Sequence, residues 1–354
     1  MIQIVPALPP ANNGVGDYGF AVARAMRNNF GVQTQFVVGD DNWDYAEKVD
    51  GFTARRVGSR SAQSLAEMLS AAASRTVLLQ LSGYGYSARG CPFWLLQGLQ
   101  QWKRKQPERR LITMFHELYA CAPPWRKTFW AGHAQRMVIA GIARLSDAVV
   151  TNLQAYRCLL ERLARSPKKA IDVLAVPSNV GEPVQPSDLS ARTKSMVVFG
   201  LPASRQRAYT ARMGELQRAC ERLGITEVQD VGGHFEAIPG RIGRVPVSRH
   251  GSMSACELSA LLSQSMAGFV AYSPGYMAKS GVFAAYCAHR MLPVMPQDGR
   301  SQSDGIRCGT HYYNVGVAAP LANREPQAIA DLAWEWYQGH SLQRHATVFA
   351  TSLK

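Results

Sequence analysis

Two glycines close to the N-terminus, Gly14 and Gly16 on either side of Val15, stand where backbone groups can bind a ligand. They follow an apolar run at residues 2–8 and precede an amphipathic run at residues 18–27, a pattern that predicts a strand, a turn and a helix start. Glycine permits backbone angles closed to other residues, and the first N–H groups of a helix have no intrahelical partner. We therefore expect Gly14, Val15 and Gly16 to approach an anion or a sugar hydroxyl, with a plain βα turn as the open alternative.

A histidine and a carboxylate, His116 and Glu117, follow the apolar run at residues 111–115. Open parallel sheets carry their functional groups at the carboxyl ends of the strands. Because histidine titrates near neutral pH, His116 is suited to binding a substrate hydroxyl or moving a proton. Glu117 then orients the histidine or caps the next turn. The alternative is a structural His–Glu pair at a strand end.

In the second half of the chain, Arg205 follows a predicted strand and glycine turn at residues 196–200. It lies near the predicted start of a helix, where a positive charge opposes the helix dipole. A locally unfavourable placement of this kind indicates use, here the bidentate binding of a diphosphate. A solvent-facing arginine without a role is the alternative.

A third strand–loop–helix junction brings Lys279, Ser280, Gly281 and Val282 to the start of a predicted helix. An ammonium group, a hydroxyl and free N–H groups together suit a phosphate. The spacing is not that of a P-loop, so it does not indicate ATP hydrolysis. A capped helix that happens to carry a lysine is the alternative. No spacing of carboxylates, histidines or cysteines predicts a metal site.

Short apolar runs alternate with helical patterns along the chain, which predicts parallel sheets covered on both faces by helices. The predicted strands lie at residues 2–8, 32–38, 77–81, 111–115, 148–151 and 173–176, and then at 196–199, 228–231, 245–247, 268–272, 292–295 and 315–319. Prolines and glycines cluster at residues 177–187 and indicate a linker. We expect two similar α/β halves, with a ligand in the cleft between them.

Composition bounds the function. The 354 residues are 47% hydrophobic and 18% charged, which is typical of a folded protein of two domains. The seven cysteines form no CxxC pair and are expected to be reduced and mostly buried. No apolar run is long enough to span a membrane, and the N-terminus has no secretory pattern, so a cytoplasmic location is expected.

The net charge of +14 calls for an anionic partner. Residues 92–105 join two tryptophans to a basic end, which suits peripheral contact with the anionic inner face of a membrane. A helix docked on a sheet with a solvated basic end is the favoured alternative. No motif for specific nucleic-acid binding is present.

Together these segments resemble the retaining glycosyltransferases of the GT-B type, the group that includes glycogen synthase, sucrose synthase and bacterial mannosyltransferases. Residues 9–18 look like the family's N-terminal glycine loop, and residues 113–117 look like its strand ending in a histidine beside the reacting sugar. Residues 176–181 are similar to the hinge. Residues 200–207 and 265–294 look like the two segments that bind the donor.

The resemblance implies an α/β fold with two Rossmann-like domains that face each other across a cleft. Residues 1–180 would form the acceptor-side domain and residues 190–335 the nucleotide-sugar domain. Residues 336–354 would form a C-terminal helix that packs back on the first domain.

The implied activity is the transfer of a hexose, with retention, from a nucleotide-diphosphate donor to a glycan, lipid-linked or small-molecule acceptor, as in polysaccharide or glycoconjugate biosynthesis. The donor is a UDP-, GDP- or ADP-sugar, and no metal or other cofactor is required. His116 and Glu117 would lie at the reacting sugar. The donor diphosphate would be held by Arg205 and by the turn from Lys279 to Val282.

The chain departs from the family's usual pattern of two glutamates, because Met277 and Ala285 stand at those positions. It therefore resembles a divergent member of the group. A catalytically inactive relative that binds a nucleotide or a glycan is the main alternative. A sugar epimerase and a dehydrogenase are less favoured, because the carboxylates that each requires are missing.

Overall fold

A computed structural model of the chain describes residues 1–11, 13–43, 47–119, 127–164, 170–236, 238–296, 302–316 and 324–353. The chain divides into two structural units. Unit 1 comprises Met1–Leu174 together with His345–Lys354, and unit 2 comprises Ala175–Arg344. Each unit contains its own sheet and its own buried core.

Unit 1 is built around a sheet whose eight described strands are β1 (Ile2–Val5), β2 (Gln35–Val38), β3 (Lys48–Val49), β4 (Phe52–Arg56), β5 (Thr76–Leu81), β6 (Arg110–Phe115), β7 (Ala148–Thr151) and β8 (Ile171–Val173). Their order is β3-β4-β2-β1-β5-β6-β7-β8, and all neighbours are parallel except β3 and β4. The chain leaves β1 toward one edge and returns through β5 on its other side. The strand order therefore reverses between β1 and β5, which is where open sheets bind ligands.

Helices cover this sheet. They are α1 (Gly14–Phe30), α2 (Ala62–Ala71), α3 (Gly83–Tyr86), α4 (Phe93–Lys105), α5 (Lys127–Leu145) and α6 (Gln154–Ala164). The last helix, α12 (Leu342–Ser352), contributes its residues from His345 onward to unit 1. All four residues of β1 are buried, because a central parallel strand is covered on both faces.

Unit 2 repeats this plan with the strands β9 (Thr193–Phe199), β10 (Glu227–Val231), β11 (Arg241–Ile242), β12 (Val245–Arg249), β13 (Ser265–Phe269), β14 (Leu292–Met295) and β15 (Tyr313–Asn314). Their order is β11-β12-β10-β9-β13-β14-β15, with only β11 and β12 antiparallel among the described strands. Here the strand order reverses between β9 and β13.

The α-helices of unit 2 are α7 (Pro202–Tyr209), α8 (Met213–Leu223), α9 (Ala255–Gln264), α10 (Gly281–Ala288) and α11 (Pro326–Gln338). Two 3₁₀ helices, η1 (Leu189–Ala191) and η2 (Pro274–Lys279), complete the described helical segments. The prediction of an α/β protein with two Rossmann-like domains is confirmed for each unit.

The two tryptophans of the basic segment take part in packing. Trp102 is fully buried, and the guanidinium of Arg109 lies 5.2 Å from the centre of its ring. Trp94 is partly buried and donates a hydrogen bond to the carbonyl of Tyr86. These contacts fit the docked-helix interpretation of residues 92–105. No helix in the described ranges combines the length and the apolar character needed to cross a membrane.

The expectation that the cysteines are mostly buried is wrong for the six that the structure describes. Only Cys220 and Cys287 are buried, while Cys158 and Cys256 are exposed. None of these six forms a disulfide, and Cys121 lies outside the described residues. The exposed pair lies on the outer faces of α6 and α9, where the helical period places no core residue.

Two buried histidines should make unit 2 sensitive to acid. Burial lowers the pKa of His289 and of His340 to about 4, from an ordinary value of 6.5. Between these values protons bind the unfolded chain and not the folded one, so stability falls as the pH drops from 6.5 toward 4. His289→Gln removes one such site, and Gln can still bond Ser259 and the Ala285 carbonyl, which His289 contacts.

We therefore expect the stability gap between the wild type and His289→Gln to narrow by about 1 kcal/mol between pH 7 and pH 5.5. Urea unfolding at both pH values measures this gap. A gap that stays constant would show that His289 does not titrate on unfolding.

Candidate functional site

The N-terminal glycine loop is tied down by a cap and by one very close backbone approach. The side chain of Asn13 accepts a hydrogen bond of 2.9 Å from the N–H of Gly16. A Cβ on Gly16 would lie only 2.0 Å from the carbonyl oxygen of Ala7, whereas a Cβ on Gly14 would face open space. Val15 is partly buried between them.

The unusual backbone angles that the sequence analysis expected of these glycines are not found. Neither Gly14 nor Gly16 has a positive φ, and both lie in the first turn of α1. Gly16 is required because the loop after β1 crosses it at contact distance. Gly14 leaves the helix N-terminus uncovered, as an approaching ligand would need.

His116 lies at the carboxyl end of β6 and is only 6% exposed. Its Nε2 atom is 2.9 Å from the side-chain oxygen of Gln80, and Asn152 donates a hydrogen bond to its backbone carbonyl. The hydrogen bond to Gln80 holds the imidazole ring in one orientation. The hydroxyl of Ser82 donates to the carboxylate of Glu117 over 3.0 Å.

These contacts join three loops of unit 1. Gln80 and Ser82 belong to the end of β5, His116 and Glu117 follow β6, and Asn152 follows β7. Two buried polar atoms of this group, Gln80 Nε2 and Asn152 Oδ1, have no hydrogen-bond partner within the described part of the chain.

Tyr18 and His345 belong to this network, and the sequence analysis did not find them. The ring of Tyr18 packs edge-on against His116, with centroids 4.7 Å apart. Its hydroxyl forms a hydrogen bond of 2.7 Å with Nδ1 of His345, which is fully buried. Burial raises the pKa of Tyr18, so the phenol stays neutral. The last helix of the chain therefore helps to orient His116 through Tyr18, a contact over 327 residues that no local pattern signals.

Arg205 has a different role from the one that its helix position suggested. Its side chain is fully buried. It donates a hydrogen bond of 2.6 Å to the carboxylate of Asp230, and it also donates to the carbonyls of Gly200 and Gly233. Tyr209 donates to the other carboxylate oxygen of Asp230. Burial raises the pKa of Asp230, against the opposing effect of these hydrogen bonds.

The guanidinium of Arg205 thus ties the loop after β9 to the end of β10, and its donors are used inside the protein. Arg207, two positions along α7, is exposed and reaches the Ala271 carbonyl after β13 at 3.3 Å. Of the two arginines of α7 it is the one exposed to solvent, because residues two apart on a helix face opposite sides.

The turn before α10 lies beside the loop after β9. A Cβ on Gly200 would lie 3.2 Å from the side chain of Val282, so these two segments meet where the strand order reverses. Ser280 caps α10 by accepting a hydrogen bond from the N–H of Phe283. A Cβ on Gly281 would have no neighbour closer than 3.7 Å, and Lys279 ends η2 half-buried.

The structure therefore brings together Gly200, Val282 and the start of α10, with Arg207 beside Ala271 at the same edge of the sheet. Met277 and Ala285, which the sequence analysis aligned with the family's two glutamates, are both buried. Among the described residues, no three His, Cys, Asp or Glu side chains gather in a group that could hold a metal ion.

Comparison with models of known protein families gives no match, and no curated protein sequence matches either. Solved structures do match over the whole chain. Trehalose 6-phosphate synthase from Burkholderia multivorans superposes with a TM-score of 0.61 at 13% identity, covering 100% of this chain and 98% of that one.

An alpha-glucosyltransferase in complex with UDP and a 13-mer DNA gives a TM-score of 0.59 at 11% identity, covering 99% and 97% of the two chains. The E. coli trehalose-6-phosphate structure bound with UDP-2-fluoro glucose gives 0.58 at 10% identity, covering 99% and 98%. These neighbours are glycosyltransferases of the GT-B type, and the chain has the GT-B fold.

The two glycines of the N-terminal loop can be separated by substitution. Gly16→Ala should destabilise the protein by roughly 2 kcal/mol or more, because the loop after β1 must move to admit a methyl group. Gly14→Ala should change stability by less than about 1 kcal/mol, because its Cβ meets nothing. Urea unfolding of both variants measures the difference, and equal effects would contradict the close approach.

The buried ion pair of unit 2 predicts that removing Arg205 alone destabilises the protein more than removing both charges. Arg205→Gln should lower the free energy of unfolding by about 3–5 kcal/mol, because it leaves Asp230 buried without its cation. The double variant Arg205→Gln/Asp230→Asn should regain part of that loss, because no charge is then buried. A double-mutant cycle by denaturant unfolding measures the coupling. A stable Arg205→Gln protein that loses only ligand affinity would favour the diphosphate role instead.

Proposed function

We propose that the protein is a glycosyltransferase that moves a hexose from a UDP-sugar to a hydroxyl acceptor. One observation carries this function. In unit 2 the exposed Arg207 and the open N-terminus of α10 lie at the edge where the strand order reverses. Cations and helix N–H groups at such an edge suit a diphosphate. Among the three donors that the sequence allows, UDP is favoured because the structural neighbours contain UDP or a UDP-sugar.

In this proposal the diphosphate is bound by two kinds of group. Lys279, Ser280, Gly281 and Val282 form the turn that offers N–H groups and the helix dipole. Arg207 takes the place that the sequence analysis gave to Arg205 and binds the phosphates bidentately. Arg205 holds the surrounding loops through Asp230.

The reaction breaks the bond between the anomeric carbon of the sugar and the β-phosphate oxygen, and forms a bond from that carbon to the acceptor oxygen. The departing phosphate takes the acceptor proton, so the reaction needs no protein carboxylate as base and proceeds with retention. Preorganised positive charge stabilises the leaving diphosphate, and no metal is needed for this purpose.

We assign sugar binding in unit 1 to His116, whose ring is held by Gln80 and Tyr18. Glu117, which is bonded to Ser82, shapes the same loop. Gly14, Val15 and Gly16 offer the N-terminus of α1 to the acceptor or to a phosphate.

Unit 1 is the acceptor side in this proposal, and its charge supports an anionic acceptor. It contains 23 Lys and Arg residues against 12 Asp and Glu, whereas unit 2 contains 16 against 13. Most of the excess of +14 therefore belongs to unit 1. Long-range attraction of this kind raises the encounter rate with an anionic substrate.

A second candidate is a nucleotide-binding protein without transferase activity. Met277 and Ala285 favour it, because both are buried and apolar where the related enzymes have glutamates. Such a protein would bind UDP with the same residues and would turn over no donor.

Titration with UDP, GDP and ADP tests the donor site. The wild type should bind UDP most tightly, and Arg207→Gln and Lys279→Gln should each raise the Kd for UDP by about 10- to 100-fold, as expected for lost charge-assisted hydrogen bonds. Arg222→Gln, on the exposed face of α8, is the matched control and should leave the Kd unchanged.

Release of UDP from a panel of UDP-sugars then separates the two candidates. In a transferase, His116→Ala should reduce donor turnover at least about tenfold without changing the Kd for UDP. Tight UDP binding with no turnover of any donor would favour the binding protein. Wild type that binds none of the three nucleotides would refute both candidates.

A further inference from the structure

We propose that Tyr84 and Arg89 form a subsite for an acceptor sugar that carries a phosphate or a carboxylate. Both residues lie on the segment from Ser82 to Cys91 that follows β5, here named the β5 loop. The inference rests on the proposed function, because it names the acceptor class of that reaction. The neutral sugar ring would lie on Tyr84 and the anionic group on Arg89.

The β5 loop is held rigidly by its own backbone. The N–H of Gly85 donates to the Ser82 carbonyl, that of Ser87 to the Gly83 carbonyl, and that of Gly90 to the Ser87 carbonyl. These successive turns leave little freedom to the side chains that the loop presents. A site that is ordered before binding avoids part of the entropy cost of association.

The side chain of Gln135 in α5 donates hydrogen bonds to both proposed residues. Its amide nitrogen donates a hydrogen bond of 3.1 Å to the hydroxyl of Tyr84 and one of 3.0 Å to the backbone carbonyl of Arg89. Gln135 is 2% exposed, so a buried side chain positions two residues that are themselves exposed. A loop with no role in binding does not need this support.

Tyr84 is 55% exposed although its hydroxyl is engaged. An ordered aromatic ring with one face open to solvent offers a large apolar surface at low conformational cost, and so it suits the apolar face of a sugar ring. Exposed tyrosines are common and prove nothing alone. Tyr84 comes two residues after Ser82, the N-cap of α3, whose hydroxyl donates to the carboxylate of Glu117.

Arg89 is exposed, and its guanidinium makes no ion pair or hydrogen bond with any residue that the structure describes. Several other arginines of unit 1 form ion pairs, as Arg24 and Arg27 do with Asp50. An uncompensated guanidinium binds carboxylate and phosphate oxygens in its planar fork. Arg89 follows the carboxyl end of β5, where open sheets bind ligands, and we therefore assign it to the anionic group of the acceptor.

Glucose 6-phosphate and glucuronate are probes for the two anionic groups, with glucose and inorganic phosphate as partial ligands. In the presence of UDP, the wild type should bind one or both anionic sugars more tightly than glucose or phosphate. Arg89→Gln should weaken this binding at least about tenfold, the effect of one charge-assisted pair. Tyr84→Ser should weaken all three sugars and leave phosphate unaffected.

The matched control is Arg75→Gln. Arg75 is exposed just before β5, at the amino ends of the strands, and its guanidinium pairs with Glu108 at the surface. It should leave every Kd unchanged, and all variants should bind UDP as the wild type does. Because the proposed UDP site belongs to unit 2, urea unfolding of each variant beside the wild type checks that unit 1 is folded.

The outcomes separate this site from the donor site. Wild type that binds UDP but neither anionic sugar, or an Arg89→Gln variant that binds them as tightly as Arg75→Gln does, overturns the proposal. Wild type that binds an anionic sugar through Arg89 but does not bind UDP keeps the subsite and refutes the proposed donor.

Discussion

The need to bury both faces of a parallel sheet governs the rest of this structure. A strand such as β1 is covered on both sides, so the chain must cross over through a helix before it can add the next parallel strand. Every such crossover begins at the carboxyl end of a strand, and these ends lie on the same side of the sheet. The loops after β1, β5 and β6 in unit 1, and after β9 and β13 in unit 2, are therefore gathered without any direct attraction between them.

Close packing then decides which loop groups are free to meet a ligand. In unit 1 the histidine at the end of β6 is enclosed by Gln80, Asn152 and Tyr18, and its ring orientation is set by these neighbours. A buried ring with a fixed orientation is suited to hold one hydroxyl in one direction. The nearby β5 loop has the opposite character, because its support is buried and its functional groups are exposed.

In unit 2, one turn of α7 carries a buried arginine and an exposed one. Arg205 and Arg207 are two positions apart on α7, so one faces the sheet and the other faces outward. A cation on the inner face has to find a carboxylate, because an unpaired charge cannot be buried, and Asp230 supplies it. The sequence analysis expected Arg205 to bind a diphosphate, whereas the structure buries its side chain against Asp230.

The sequence by itself determined the α/β alternation, the two halves and the positions of the loops, because strand and helix periods are local properties of the chain. It missed β3, β4 and β11, which have two to five residues and little apolar pattern. It also expected the last strand of unit 2 at residues 315–319, whereas β15 is Tyr313–Asn314 and residues 317–319 lie outside the described ranges. Only the tertiary structure decided why Gly16 must be glycine, that Arg205 is a buried partner of Asp230, and that His345 supports His116 through Tyr18. Each of these depends on the distance between segments far apart in the chain, and no local pattern contains that distance.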